Sequence, residues 1–218
     1  MALVSNTPVT LRRLGLFLAL FFAVWTLRVV ALSPLINPSR PALWQDLAGI
    51  AVKLLLWVAP VWLIIAWSEG LDPADALRLR SRAAAGWLWG LAVGIAYLAA
   101  TVLLAVVLDG AQVRAGALAT LPRTFVGAAL PEEILFRGYV LRQLEHALPF
   151  WQANLLTALL FLAAHLPGWA YFGGGSLAVA VAVFVVGVVC GALVRHSGSL
   201  WSAVAFHTLN NLAAALIA

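Results

Sequence analysis

From Gly86 to Leu108 no side chain carries a charge, and six further stretches of the chain come close to that condition. Runs of this kind leave few folds open. In hydrocarbon every backbone N–H and C=O needs a partner within the protein, so long apolar segments cross a bilayer as helices. About 20 helical residues cover the hydrocarbon core. The runs are Leu14–Leu32, Leu43–Trp67, Gly86–Leu108, Thr124–Leu144, Gln152–His165, Leu177–Val194 and Leu200–Ile217. They predict an all-α fold, a polytopic membrane helical bundle of about seven transmembrane helices. Residues 1–218 form a single integral membrane domain, with no detectable repeat and no second domain.

Composition agrees. The chain is 64% hydrophobic and 10% charged, whereas a soluble domain is about half apolar. The net charge of +5 is spread over segment ends, where basic residues orient helices and meet anionic headgroups. This predicts the lipid bilayer as a partner and no nucleic acid. Lys53 is the only lysine among 13 basic residues. That bias, with abundant Ala, Gly, Val and Leu, suggests a bacterial origin and a bacterial plasma membrane. Cys190 is alone, which rules out an internal disulfide and any CxxC site; it reads as a small buried residue. The N-terminal run after Arg12 and Arg13 looks like a signal peptide at first, but it continues to Leu32 without an A-x-A cleavage site and reads as a retained span.

The basic residues set an orientation. With the N-terminus in the cytoplasm, Arg12, Arg13, Arg78, Arg80, Arg82, Arg142 and Arg195 fall inside, and Arg40, Arg114 and Arg123 outside. Ser68–Ala85 becomes the main cytoplasmic loop, with a short interfacial helix. "LPGWAYFGGGS" after His165 reads as a turn-rich loop. Gly86, Gly90 and Gly94, like Gly187 and Gly191, recur at four-residue spacing, a pattern for close helix packing; the glycine-lined third span is also a candidate wall for an incoming substrate.

Against this background "LPEEILFRGYV" (Leu130–Val140) is out of place. A charge near the bilayer centre costs about 2.5–3.5 kcal/mol on insertion scales. Glu133 and Arg137 are four apart on one helix face and can neutralise each other, as a brace for the helix or as support for a site. Glu132 points about 100° away and has no basic residue within a turn, so it must find partners on other helices. Pro131 either kinks the span or begins a fresh helix at its first position. His165 closes "FLAAH", and "FHTLNN" carries His207, Asn210 and Asn211, with His207 and Asn211 on one face. Helical rise puts Glu132, His165 and Asn211 roughly 18–20 Å from the cytoplasmic ends of their spans and His207 about 12 Å, not at opposite faces, which predicts one shared site. Arg28 and Lys53 can snorkel or pair elsewhere. His146 and His196 fall in short, solvated turns.

These motifs resemble the CPBP or Abi family, the CAAX-protease and bacteriocin-processing intramembrane endopeptidases. "EEILFRG" matches its EExxxR motif, "FLAAH" its FxxxH and "HTLNN" its HxxxN, in the same order on separate spans. The resemblance places the catalytic core in residues 124–212; the first three spans carry no motif. It implies that Glu132 and His165 activate a water, that His207 and Asn211 stabilise the oxyanion, and that Glu133 and Arg137 support them. No cofactor is needed in that scheme. A zinc alternative uses Glu132, His165 and His207, one carboxylate and two imidazoles, as metal ligands. The implied substrate is a peptide or membrane-anchored protein, either a prenylated CAAX-type tail or a bacterial leader or membrane-bound segment. Two other classes fit the composition: a non-catalytic scaffold or immunity protein on the same fold, and a carrier using the buried Glu and His as a proton relay.

Overall fold

The structure is a computed structural model that describes residues 11–33 and 42–217. The described residues are mostly helical, with no strand. α1 is Leu11–Leu27, prolonged by a π-helical turn, Arg28–Leu32. α2 starts with Ala42–Lys53 and continues through Leu54–Val58, Ala59–Leu63 and Ile64–Ser68. α3 is the short Pro73–Ala76 and α4 is Ala83–Asp109. A 3₁₀ segment, Ala115–Thr120, leads into α5, one helical run from Leu121–Thr124 to Leu141–Glu145. α6 is Phe150–Ala163, α7 Leu166–Phe172, α8 Leu177–Ser197 and α9 Trp201–Ile217.

Among the described residues five helices are long and apolar enough to cross a membrane: Leu11–Ala31, Asp46–Ser68, Ala83–Asp109, Phe150–Phe172 and Leu177–Ser197. The other two predicted spans carry the EExxxR and HxxxN motifs. α5 holds too many charges to qualify, and α9 is short. Both lie inside the bundle: every residue from Pro131 to Leu141 is buried, and so is every residue from Ser202 to Thr208. The most polar helices are therefore shielded from lipid by the least polar ones. The chain is an integral membrane protein with its polar helices at the centre.

The helices alternate between two ends. At one end Arg142 donates to Glu69 at 2.6 Å, Leu200 N–H to the Arg78 carbonyl at 3.2 Å and Trp201 Nε1 to Leu79 at 2.8 Å. The predicted loop Ser68–Ala85 therefore folds back on the core, with Leu77 fully buried. Within it Asp72 caps α3, and the Arg80 guanidinium beside that carboxyl holds it below the usual carboxylate range. At the other end Arg114 N–H donates to Leu216 and Arg123 lies 3.4 Å from Asp46. Arg40, assigned outside from sequence, lies beyond the described residues.

Two details differ from the sequence expectations. Residues after His165 do not form a loop at once: Pro167 is tolerated in the first turn of α7, and the helical course ends only at Gly173, whose φ is 81°. The third-span glycines do not line a substrate route. A Cβ on Gly90 would meet the Ser202 carbonyl at 2.5 Å, and one on Gly94 the Leu209 side chain at 2.7 Å. They are the seam along which α4 lies against α9.

Candidate active site

α5 does not restart at Pro131. A proline lacks an N–H and its ring crowds the carbonyl four residues back. Here a π-helical turn, Phe125–Ala129, comes just before it, widening the helix where that crowding would occur. α2 shows the same device, with the turn Leu54–Val58 just before Pro60. The helix therefore runs through the motif, and Glu132 and Glu133 face no helix N-terminus. Another π-helical stretch, Ile134–Val140, follows at once. Such turns are rare and concentrate at functional sites.

Glu133 and Arg137 form a pair with fully buried side chains, 3.0 Å apart. Arg137 also donates to the Gly187 carbonyl on α8 at 2.8 Å and lies 4.5 Å over the Phe161 ring on α6. The absence of a Cβ at Gly187 allows this approach, since one would stand 3.1 Å from the Arg137 Nη2 atom. His207 on α9 places Nδ1 2.7 Å from Glu133 Oε1. A carboxylate paired with arginine can only accept, so Nδ1 carries the proton and the imidazole is turned with Nε2 away from Glu133.

That Nε2 lies 3.7 Å from Oε2 of Glu132. The other oxygen of Glu132, Oε1, contacts the Lys53 ammonium from α2. Two ion pairs are thus joined through one imidazole: Lys53–Glu132 on one side of His207 and Glu133–Arg137 on the other. The four formal charges balance, which is how so polar a cluster persists in the bundle.

His165 sits at the junction of α6 and α7. Its Nδ1 is 2.9 Å from the Phe161 carbonyl, which can only accept, so in the neutral ring Nε2 is a free lone pair. Two cavities meet at this ring. One, of about 310 Å³, is lined by Glu132, His165, Lys53, Trp25, Trp57 and Trp169 among others. The second, of about 320 Å³, carries His165, His207, Asn210, Asn211, Tyr97 and Thr101 among its walls. Asn210 Nδ2 donates to Asn211 Oδ1 at 3.1 Å, which leaves the Asn211 amide N–H groups free to donate. The sequence-predicted residues Glu132, His165, His207 and Asn211 are thus gathered around two cavities with a common wall.

Sequence reasoning passed over two residues. Lys53, which the sequence allows either to snorkel or to pair elsewhere, pairs with Glu132; its only sequence signal is being the sole lysine, placed mid-run. Phe161 is the first residue of the FxxxH motif, and it orders the two imidazoles: its buried ring stands edge-on to His165 at 4.8 Å and to His207 at 5.7 Å between centroids. The Trp25 indole fixes the neighbouring backbone by donating to Ala164 at 2.9 Å.

The zinc alternative needs Glu132, His165 and His207 to converge. Among the described residues the group whose ligand atoms all lie within 4.8 Å of one another is Glu133, Cys190 and His207. Its Glu133 already accepts from both Arg137 and His207, and the Cys190 thiol faces the Ala203 carbonyl at 4.0 Å. The trio named from the sequence is not gathered in this way, and a lysine ammonium contacts one oxygen of its carboxylate.

No curated protein and no solved structure matches the chain. A family model does: it is described as type II CAAX prenyl endopeptidase Rce1-like, and it matches residues 114–213. That segment runs from the 3₁₀ turn before α5 into α9, and so contains Glu132, Glu133, Arg137, Phe161, His165, His207 and Asn211. Residues 114–213, a little under half of the chain, are thus similar to the Rce1-like type II CAAX prenyl endopeptidases.

Proposed function

We propose that the protein is an intramembrane endopeptidase in which a water activated by Glu132 and His165 hydrolyses a peptide bond of a membrane-associated substrate. The observation that carries this reading is Glu132 itself: a buried carboxylate on the wall of a cavity shared with the free Nε2 edge of His165, with His207 3.7 Å away. A base in this position contributes about 10²–10⁴-fold to a hydrolysis. Glu132 takes a proton from the water as the water oxygen adds to the peptide carbonyl. The C–N bond then breaks, the nitrogen takes up that proton, and a carboxylic acid and an amine leave.

The tetrahedral oxygen is met by donors from α9. Asn211 has its amide N–H groups uncommitted. His207 already donates from Nδ1 to Glu133, so it donates from Nε2 only when both ring nitrogens carry protons. Glu133 and Arg137 hold His207 and Glu132 in register. By the distribution of basic residues, the end of the bundle with Arg78, Arg80, Arg82, Arg142 and Arg195 faces the cytoplasm, and the N-terminus with it.

The test is cleavage by the purified protein in vesicles, using a prenylated peptide that ends in a CAAX sequence and the same peptide without its prenyl group. Glu132→Gln is expected to lower the rate by about 10²–10⁴-fold while the protein stays inserted and folded. Cleavage at the wild-type rate by that variant sinks the mechanism.

A further inference from the structure

Lys53 lies on α2, outside the matched segment 114–213 and outside every motif in the sequence. An ammonium within a spanning helix is costly, and a lysine there ordinarily reaches for the membrane surface. This one turns inward. Its side chain is 16% exposed, and Nζ meets Glu132 Oε1 while standing 4.8 Å over the Trp57 ring. The nearest acidic residue on the same helix, Asp46, lies two turns earlier and is engaged with Arg123. The helix widens directly after Lys53, at Leu54–Val58, and Trp57 within that turn supplies the aromatic face.

Lys53 also stands at a partition. Together with Trp25 it lines both the cavity that holds Glu132 and His165 and a neighbouring one of about 320 Å³ bounded by Arg28, Asp46 and Arg123. The ammonium is thus fixed between the motif carboxylate and a second, more charged hollow, and contacts Glu132 on the oxygen away from His207.

We propose that Lys53 is a positioning residue of the site: by tying Oε1 of Glu132 it leaves Oε2, on the His207 side, as the oxygen that meets the water. This rests on the endopeptidase reading above. It extends the working site beyond the motif-bearing helices to α2.

The test has two arms, both on the full-length protein in vesicles. In the first, kcat and KM are measured on the prenylated CAAX peptide for wild type, Lys53→Met and Lys53→Arg. Lys53→Met is expected to lower kcat at least about tenfold with KM within about twofold, and Lys53→Arg to recover part of the loss. Wild-type kcat in Lys53→Met, or a loss confined to KM, overturns the proposal. The second arm reads thermal unfolding. Lys53→Met strands Glu132 without its cation, whereas Lys53→Met combined with Glu132→Gln removes both charges. The combined variant is expected to unfold at a higher temperature than Lys53→Met alone. Shifts that simply add show that the two residues are not paired, which also overturns it. Wild-type protein that cleaves nothing while the unfolding shifts remain coupled overturns the endopeptidase reading and leaves the ion pair standing, so the two failures are distinguishable.

Discussion

α4 and α5 are opposite answers to one solvent. α4 has no charged residue between Gly86 and Leu108, and its large side chains face outward: Leu88, Leu103 and Leu108 are exposed by 70%, 63% and 72%. Only its glycines, Gly86, Gly90 and Gly94, are buried. α5 carries Glu132, Glu133 and Arg137, and is buried without a break from Pro131 to Leu141. In water the order would be reversed, with leucines inside and charges out. In a bilayer, leucine gains nothing by leaving lipid, so burial is decided by the groups lipid will not accept, by the aromatic side chains packed around them and by small residues that let backbones approach. Charge therefore marks the centre of this chain, while apolar side chains occur both there and on the rim.

Four substitutions test that contrast. The strongest disturbance is expected inside. Arg137→Met removes the cation from a pair with no exposed side-chain surface and leaves Glu133 buried with His207 alone. Breaking such a pair costs about 3–5 kcal/mol, which thermal unfolding in detergent would register as a large drop. An unchanged unfolding temperature would mean that the α5 charges are not held as described.

Asn211→Ala sharpens the contrast by separating chemistry from stability. Asn211 is only half-buried and its partner is the neighbouring Asn210, so unfolding should hardly move. If its amide meets the tetrahedral oxygen, kcat falls by about 10²–10³-fold. A full kcat would remove Asn211 from the oxyanion site.

The seam between the two kinds of helix comes next. Gly90→Ala puts a methyl where the Ser202 carbonyl stands at 2.5 Å, and overpacking of this kind costs about 1–3 kcal/mol. Since α9 carries His207 and Asn211, a loss of rate should accompany the loss of stability. Stability and rate both at the wild-type level would place α4 farther from α9 than the structure has it. The smallest effect is expected on the rim. Leu103→Ala, on the lipid face of α4, should change stability by no more than about 0.5 kcal/mol; a shift of several kilocalories would reveal a contact hidden from this structure.

Much of the fold was legible in the sequence because the bilayer reads composition directly. Apolar runs of the right length became the helices, and the lone Cys190 became a buried residue. His146 is exposed in a turn as expected, whereas His196, also exposed, belongs to the last turn of α8 rather than to a connection. What misled was local chemistry with two outcomes. Pro131 is as compatible with a fresh helix as with a continuous one, and the π-helical turn that decided the matter has no sequence mark. "LPGWAYF" holds turn residues, yet a proline in a first turn favours helix. Lys53 had no partner within its own helix, and its true partner is 79 positions away.

Sequence alone determined that this chain spans a membrane as helices, and that Glu132, Glu133, Arg137, His165, His207 and Asn211 are the polar residues needing an account. The cost of charge in hydrocarbon allows no indifferent placement for them. Only the tertiary structure decided which groups answer which. Pairing in a membrane is set by the side chains that other helices bring to the same depth and face, and no spacing along one helix encodes that. His207 joins both carboxylates because α9 lies against α5 at that register, and Lys53 reaches Glu132 because α2 packs beside the Glu132 turn of α5.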